Sequence, residues 1–421
     1  MDKADIEASF KTAVDRYAEL SVDVPGALER LSSVAVSLQC WQGDDVTGFE
    51  TAPSALEGSG LQVTGRRPGR AGNADELRAD LGQALALIPG RHRVNLHAIY
   101  GEFRGARVDR DEVEPEHYRG WMEWAEREGI KLDFNATCFG HPRAADGLTL
   151  TSLDHGTRKF WVDHVRASRK VAAAIGREQT GPCIHNLWIP DGAREAPADR
   201  LLRRRLLKRS LDEIYETEYP PQQLKDSLES KLFGIGSESF VAGSHEFYLA
   251  YALTRKKMVC LDLGHFHPTE SVADKVSSIL LFSDEMLLHI SRGVRWDSDH
   301  VVLLTDELKG LAAEIVRGGF LDRVYLALDY FDAGMNRVGA WVLGARAVLK
   351  ALLLALLEPT RELQELEVED RRLEKLALEE RLKTMPAGAV WDYYCLTKAV
   401  PASGGWLRTV ERYEEKVRAE R

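Results

Sequence analysis

The chain has 421 residues, enough for two or three average domains or for one large α/β barrel with additions, and its 44% hydrophobic residues can fill a large core. Its formal net charge of -10 argues against a nucleic-acid partner, because binding to a phosphate backbone needs a basic surface. We expect no apolar run near the roughly 20 residues of a membrane span, and the acidic first residues lack the core of a signal peptide.

After a helical pattern over residues 3–30, eight apolar runs typical of strands alternate with helical patterns. The predicted strands are residues 34–41, 94–100, 131–139, 183–190, 229–236, 258–263, 286–294 and 323–331. This alternation predicts an α/β fold, a (β/α)8 TIM barrel with N-terminal helices and a C-terminal helical extension. The division that follows is an N-terminal helical segment (1–33), the barrel (34–358) and a C-terminal arm (359–421) that we expect to make subunit contacts.

Local signals place several helix ends. A proline-led start at residues 268–270 predicts a helix after strand six, and Thr305 is expected to cap a helix that ends at residues 318–319. In the C-terminal arm, four leucines are expected on one face of a charge-rich helix: Leu363, Leu366, Leu373 and Leu376. The glycine-rich loop of residues 42–73 is long enough to indicate a functional or mobile segment.

The five cysteines are far apart in the sequence and odd in number, which favours small buried hydrophobic residues over disulfides or a zinc site. They are Cys40, Cys138, Cys183, Cys260 and Cys395. A reducing cytoplasmic location is therefore expected.

Acids and imidazoles recur near the ends of predicted strands five to eight. In a parallel α/β barrel the carboxyl ends of the strands meet at one face, where sites are built. Carboxylates gathered there would repel one another and would be costly to desolvate, so divalent cations are the natural compensation. The residues are Glu229 and Lys231, which we expect to open strand five and to share a face, together with Asp262, His265, His289, Asp297, Asp299 and Asp329. The neighbouring His267 and His300 are expected to face elsewhere.

These ligands are too many for one octahedral ion, so two metal sites are expected. Carboxylate oxygens favour Mg²⁺ or Mn²⁺, and the imidazoles shift the preference towards Mn²⁺, Co²⁺ or Zn²⁺.

Aromatic side chains are expected at the ends of strands one to four: Trp41, His97, Phe139 and Trp188. Rings that face a floor of metal and carboxylates suit a polyol, because its C–H faces pack on the rings while its hydroxyls bind the metal. The alternative is that these aromatic residues only close the barrel.

Six motifs together resemble L-rhamnose isomerase: CWQGDD (40–45), NLHAIY (95–100), ESKLFGIGSES (229–239), LDLGHFHPTE (261–270), RWDSDHVVLL (295–304) and LDYFDA (328–333). The resemblance implies a metal-dependent barrel enzyme, usually a homotetramer, that converts the aldose L-rhamnose into the ketose L-rhamnulose.

The same resemblance implies a role for each candidate residue. One metal, which also grips substrate hydroxyls, would be held by Glu229, Asp262, His289 and Asp329. A second, catalytic ion would be held by His265, Asp297 and Asp299, with Mn²⁺ preferred and with Mg²⁺, Co²⁺ or Zn²⁺ acceptable in one site. Lys231 would neutralise charge on the carbonyl oxygen, and His97 would assist ring opening.

For the reaction we favour a direct hydride shift from C2 to C1 of the sugar, with Asp297 and Asp299 serving the proton transfer between its oxygens. An enediol route with a carboxylate base such as Glu229 is the rival, but these acids are expected to be engaged by metal. The alternative functions are isomerisation or epimerisation of another sugar, as in a xylose-type isomerase, a metal-dependent nuclease, and a sugar-binding barrel without catalysis.

Overall fold

The computed structural model describes residues 2–50, 65–232, 238–294 and 299–421. Eight parallel strands pair in chain order, and the last pairs with the first, so the sheet closes into the predicted barrel. The strands are β1 Val36–Gln39, β2 Arg93–His97, β3 Lys131–Asn135, β4 Cys183–Leu187, β5 Leu224–Glu229, β6 Met258–Asp262, β7 Met286–Ile290 and β8 Val324–Leu328.

Helices precede, surround and follow this barrel. They are α1 Lys3–Ala18, α2 Val24–Ser32, α3 Ala74–Leu85, α4 Arg119–Glu128, α5 His155–Glu178, α6 Arg200–Ile214, α7 His245–Arg255, α8 Ala273–Leu280, α9 Asp306–Arg317, α10 Arg337–Leu356, α11 Thr360–Val368, α12 Arg372–Leu382, α13 Ala387–Thr397 and α14 Leu407–Glu420. The predicted cap of α9 is confirmed, since the Thr305 side chain accepts a hydrogen bond from the backbone N–H of Leu308.

The prediction for strand five was wrong. Strand β5 ends at Glu229 instead of beginning there, and Lys231 lies beyond it. Its sequence, LKDSLE, carries charges on both faces, so no apolar run marks it. Lys225 pairs with Glu285, while Asp226 pairs with Arg169 of helix α5, and these long-range ion pairs make the charged strand stable in the barrel wall.

The start of the helix after strand six was also misplaced. Residues 268–270 form a turn, in which the backbone N–H of Thr269 donates to His267 Nδ1 and that of Glu270 donates to the His267 carbonyl. These bonds hold the segment in a closed turn, and helix α8 begins only at Ala273.

Helix α10 corrects the expectation that no segment approaches the length of a membrane span. It is long and apolar enough by length and composition alone, but 83% of its most apolar window is buried inside the protein. It contacts several other helices and the barrel strand β1, so it is a buried helix of the layer that surrounds the barrel.

The barrel interior has layers. Near the amino ends of the strands, Arg93 binds Asp133 through two hydrogen bonds of 2.8 and 2.6 Å. Above that floor lies a small apolar cluster that is separate from the main core and comprises Ile184, Met258, Cys260, Leu287 and Ala327. On strands β4, β6, β7 and β8, the polar residues at the carboxyl ends therefore lie over an apolar layer.

Two short antiparallel ribbons extend the carboxyl-terminal face of the barrel. One pairs Gly192–Ala193 with Phe240–Val241, and the other pairs Arg292–Gly293 with Asp299–His300. The second ribbon returns Asp299 to the end of strand β7.

The helices after residue 358 pack on the same chain. Phe10 of α1 stacks on Tyr393 of α13 with ring centroids 3.7 Å apart. Helix α14 is held by Arg67, which binds Glu414, and by Arg421, whose guanidinium lies 2.8 Å from Asp80 of α3. The division of the chain into three parts stays a prediction.

The four leucines of the arm do not share one helix face. Leu363 and Leu366 are buried in α11, whereas Leu373 and Leu376 of α12 are 81% and 58% exposed. Asp370 adopts a positive φ of 57° between the two helices, which turns the second pair away.

A close approach between α5 and the segment before β5 gives a stability prediction. A Cβ added at Gly176 would lie 1.7 Å from the Gln223 carbonyl oxygen, so Gly176→Ala is expected to lower the free energy of unfolding by about 1–3 kcal/mol or more. Gly82→Ala in α3 is the matched control, because no atom of the described residues lies within 4 Å of the added Cβ. That change should raise stability by about 0.5–1 kcal/mol. Urea unfolding of both variants measures the difference, and equal stabilities would contradict the packing described.

Candidate active site

Four buried side chains converge at the carboxyl ends of strands β5 to β8. Glu229 ends β5, Asp262 ends β6, His289 lies in β7 and Asp329 follows β8. One potential ligand atom from each lies within 4.8 Å of every other. His289 Nδ1 is 2.8 Å from Asp329 Oδ2, 3.2 Å from Glu229 Oε2 and 3.8 Å from Asp262 Oδ2.

The charges of this four-residue cluster do not balance. Burial, together with the charges of Asp329 and Glu229, holds the pKa of Asp262 well above its ordinary value. Burial alone would lower the pKa of His289, but the neighbouring Cys260 and the carboxylates of Glu229 and Asp329 outweigh burial and raise that pKa. Burial also opposes ionisation of Glu229, yet the facing imidazoles of His289 and His265 lower its pKa. Three carboxylates face one imidazole, so a divalent cation would relieve the repulsion.

Unsatisfied atoms in the cluster fit a metal. Asp262 Oδ2 and both ring nitrogens of His289 are buried and make no hydrogen bond of acceptable geometry with any described residue, although carboxylate oxygens lie close to Nδ1. Such groups are costly to bury without a partner. Oxygen and imidazole donors converging on one point are the ligands of Mn²⁺, Co²⁺ or Zn²⁺, so the residues fit a cation of this class.

His265 and Asp299 lie beside the four-residue cluster. His265 Nδ1 is 3.4 Å from Glu229 Oε1. A Cβ added at Gly264 would lie 2.4 Å from Asp299 Oδ1 and 3.2 Å from Asp262 Oδ1, so both carboxylates flank this glycine. Asp297 lies outside the described residues.

The four predicted aromatic residues form one continuous wall. Trp41 stacks on His97 with centroids 4.5 Å apart and lies 6.4 Å from Phe139, which in turn lies 5.9 Å from Trp188. The indole N–H groups of Trp41 and Trp188 are buried and have no hydrogen-bond partner within the described parts of the chain. The wall thus offers apolar faces and two donors, which suits a molecule with both C–H faces and hydroxyls.

His97 is buried in this wall and is neutral at pH 7. Burial lowers its pKa to about 3, with the positive charge of His289 acting in the same direction. Its ring nitrogens lie 3.3 Å from Asn135 Nδ2 and 3.3 Å from Thr137 Oγ1.

Lys231 has a different environment from the one expected. Its ammonium donates to the Pro190 carbonyl at 2.6 Å and to Glu238 Oε1 at 2.7 Å. The idea that it shares a strand face with Glu229 was wrong, because strand β5 ends before it. His267 and His300 are exposed, in agreement with their predicted orientation away from the acids.

Sequence reasoning missed the residues that hold the site in place. Asn186 of β4 donates a hydrogen bond to Glu229 Oε2. The buried guanidinium of Arg110 donates to the carbonyl oxygens of Thr137 and Phe139 and forms two 2.8 Å bonds with Glu50. Arg110 thereby ties the backbone that carries Phe139 to the start of the 42–73 loop. The local sequence around Arg110 does not indicate that its side chain joins these two segments.

His164 of α5 supports the same segment. Its Nδ1–H donates to the Arg110 carbonyl at 2.7 Å, and its Nε2 accepts from the Thr137 N–H at 2.9 Å. The contact in which Nε2 accepts needs the neutral imidazole, and burial lowers the pKa of His164 to about 3.

Comparison with known proteins adds a family. A model of the L-rhamnose isomerase family (RhaA) matches residues 4–421. The L-rhamnose isomerase of Rhodopirellula baltica is 55% identical over 416 residues, which cover 99% of this chain and 97% of that protein. Those of Bacteroides thetaiotaomicron and Escherichia coli K12 are 51% and 50% identical, each covering 99% of both chains. The similarity extends over the barrel and the helices before and after it.

The neutral state of His164 makes stability depend on pH. Its folded pKa of about 3 lies below the unfolded value of about 6.5, so the unfolded state binds the proton first and stability falls as the pH drops between those values. In His164→Gln the slope of unfolding free energy against pH should decrease by up to about 1.4 kcal/mol per pH unit between about pH 6 and 4. Urea unfolding over that range measures the slope. His155→Gln changes an exposed residue of the same helix and should keep the wild-type slope. An unchanged slope in His164→Gln would contradict this account.

Proposed function

The chain belongs to the L-rhamnose isomerase family, and from that premise we propose that it interconverts L-rhamnose and L-rhamnulose with the help of divalent cations. It is an isomerase by its family. The observation that carries the metal dependence is the four-residue cluster, in which three buried carboxylates face a single imidazole. The neighbouring aromatic wall supplies the surface against which the carbon skeleton of a sugar packs.

We assign Glu229, Asp262, His289 and Asp329 to one metal ion and His265, Asp297 and Asp299 to a second. The unsatisfied buried atoms of Asp262 and His289 support the first assignment. The position of Asp299 beside Gly264, next to His265 in sequence, supports the second. Mn²⁺ is the proposed ion because the ligands combine oxygen and imidazole donors, and Mg²⁺, Co²⁺ or Zn²⁺ would be acceptable in one site. When bound, the cations would polarise the sugar oxygens as Lewis acids.

The side chains around these ions have separate roles in the proposal. Trp41, Phe139 and Trp188 pack on the C–H faces of the sugar and exclude water. His97 is neutral and buried, so it accepts or donates a hydrogen bond at the ring oxygen and assists ring opening. Lys231 neutralises charge on the carbonyl oxygen, and its bonds to Pro190 and Glu238 fix its position.

The proposed chemistry is a hydride shift. The hydrogen on C2 moves with its electron pair to the C1 carbonyl carbon, while the O2 proton is transferred to O1 in a step served by Asp297 and Asp299. The rival enediol route needs a carboxylate free to remove the C2 proton. Glu229, the candidate base, already accepts from Asn186 and faces two imidazoles, which supports the shift.

We also propose a cytoplasmic homotetramer. The free, buried state of all five cysteines agrees with a reducing compartment. The exposed Leu373 and Leu376 of α12, together with Val368 at the end of α11, give the C-terminal arm an apolar surface for a subunit contact.

Removal of metal tests the proposed reaction. Exhaustively chelated protein should form no ketose from L-rhamnose, and added Mn²⁺ should restore turnover.

Asp262→Asn should weaken Mn²⁺ binding by about tenfold or more, because it removes a charged ligand from a buried site. Asp332→Asn is the matched control, since Asp332 follows the same strand as Asp329, is partly exposed and bonds the Gly334 N–H. Ketose formation and calorimetric Mn²⁺ titration measure these effects, with D-xylose as a comparison substrate. Full activity after chelation would refute the metal dependence.

Isotope transfer tests the route. L-Rhamnose with deuterium at C2 should give L-rhamnulose that keeps the label at C1, because a hydride shift never exposes this hydrogen to solvent. Mass spectrometry and proton NMR of the product locate the deuterium. Complete loss of the label to water would favour the enediol route.

A further inference from the structure

Cys260 lies directly below the four-residue cluster. Glu229, Cys260 and His289 form a second buried group in which one potential ligand atom from each residue lies within 4.8 Å of the others. Two of these residues also belong to the first group, so the two ligand sets overlap.

Strand geometry explains why the thiol lies deeper than the carboxylates. Cys260 precedes Asp262 by two residues on β6, so both side chains point into the barrel from the same face of the strand. Cys260 pairs with Glu229 across one strand boundary, whereas Asp262 pairs with His289 across the other. The thiol therefore lies one side-chain layer below the mouth.

The surroundings of Cys260 favour the binding of a soft cation to its sulfur. It is fully buried and packs in the small apolar cluster with Ile184, Met258, Leu287 and Ala327. A thiolate bound to a soft cation forms a compact, nearly covalent unit that tolerates apolar surroundings, and hard oxygen-seeking ions gain little from sulfur.

We propose that a thiophilic divalent cation such as Cd²⁺ or Zn²⁺ binds to Glu229, Cys260 and His289, in competition with the ion held by Glu229, Asp262, His289 and Asp329. This proposal rests on the metal site of the proposed function and adds a second binding mode to it. The thiol proton of Cys260 leaves to solvent as the sulfur–metal bond forms, and no oxidation or reduction occurs. Because the two modes share Glu229 and His289, a cation in the deeper position removes two ligands from the ion at the mouth.

The test uses the full-length chelated protein loaded with Co²⁺ or with Cd²⁺. Wild-type protein should show the near-ultraviolet absorption of a thiolate-to-metal charge transfer, at up to one cation per chain. In Cys260→Ser this absorption should disappear, and the affinity for Cd²⁺ relative to that for Mn²⁺ should fall by about tenfold or more.

Cys183→Ser is the matched control, because Cys183 is an equally buried strand residue that belongs to neither ligand group. This variant should keep both the absorption and the ratio of affinities. A charge-transfer band that persists unchanged in Cys260→Ser would overturn the proposal.

Cadmium NMR of the wild-type protein provides an outcome that does not depend on a variant. A resonance shifted far downfield indicates a sulfur ligand, and a resonance typical of oxygen and nitrogen ligands alone would refute the deeper mode. Mn²⁺-dependent activity with a sulfur-free cadmium resonance would remove this inference and leave the proposed function intact. Failure of Mn²⁺, Co²⁺ and Cd²⁺ to bind at all would remove both.

Discussion

The main physical constraint on this structure is the unfavourable free energy of burying three carboxylates around one imidazole. Parallel strands place the side chains that follow their carboxyl ends at one mouth, so Asp262, His289 and Asp329 cannot avoid each other once the barrel closes. The protein supplies little compensation of its own: the Gly264 N–H donates to Asp262 and Asn186 donates to Glu229. A few hydrogen bonds do not offset several desolvated charges, so a bound divalent cation would compensate them.

The layers below the mouth follow from the same constraint. The floor carries charged groups in complementary pairs, such as Arg93 with Asp133 and Lys225 with Glu285, so it needs no external ion. On strands β4, β6, β7 and β8, the small apolar cluster lies between this floor and the acids. The charge imbalance at the mouth therefore follows from where the barrel strands place these side chains.

Much of the fold could be predicted because, to within one residue, seven of the eight barrel strands lie inside the predicted strand segments, which alternate with helical patterns. The convergence of Asp262, His289 and Asp329 followed from that pattern alone. The prediction placed strand β5 wrongly because its charged residues pair with residues far away in sequence, such as Arg169. Such long-range pairs cannot be detected from the local pattern of hydrophobic residues. The roles of Arg110 and His164 could not be predicted either, because they depend on long-range contacts with the backbone near Thr137. The pairing of Lys231 with Glu238 likewise depends on how the chain returns after β5.

The last helix bears on the order in which the chain is assembled. Helix α14 holds residues 67–69 through Glu414 and Arg421, and the guanidinium of Arg337 links the carbonyl of Arg67 to the side chain of Asp45. The segment that leaves the glycine-rich loop is therefore held by a helix that follows the whole barrel in chain order. During synthesis all eight barrel strands are made before this helix, so residues 67–69 lack the contacts to Glu414 and Arg421 until translation reaches α14. A chain truncated before α14 would contain every barrel strand but would lack these hydrogen bonds to residues 67–69.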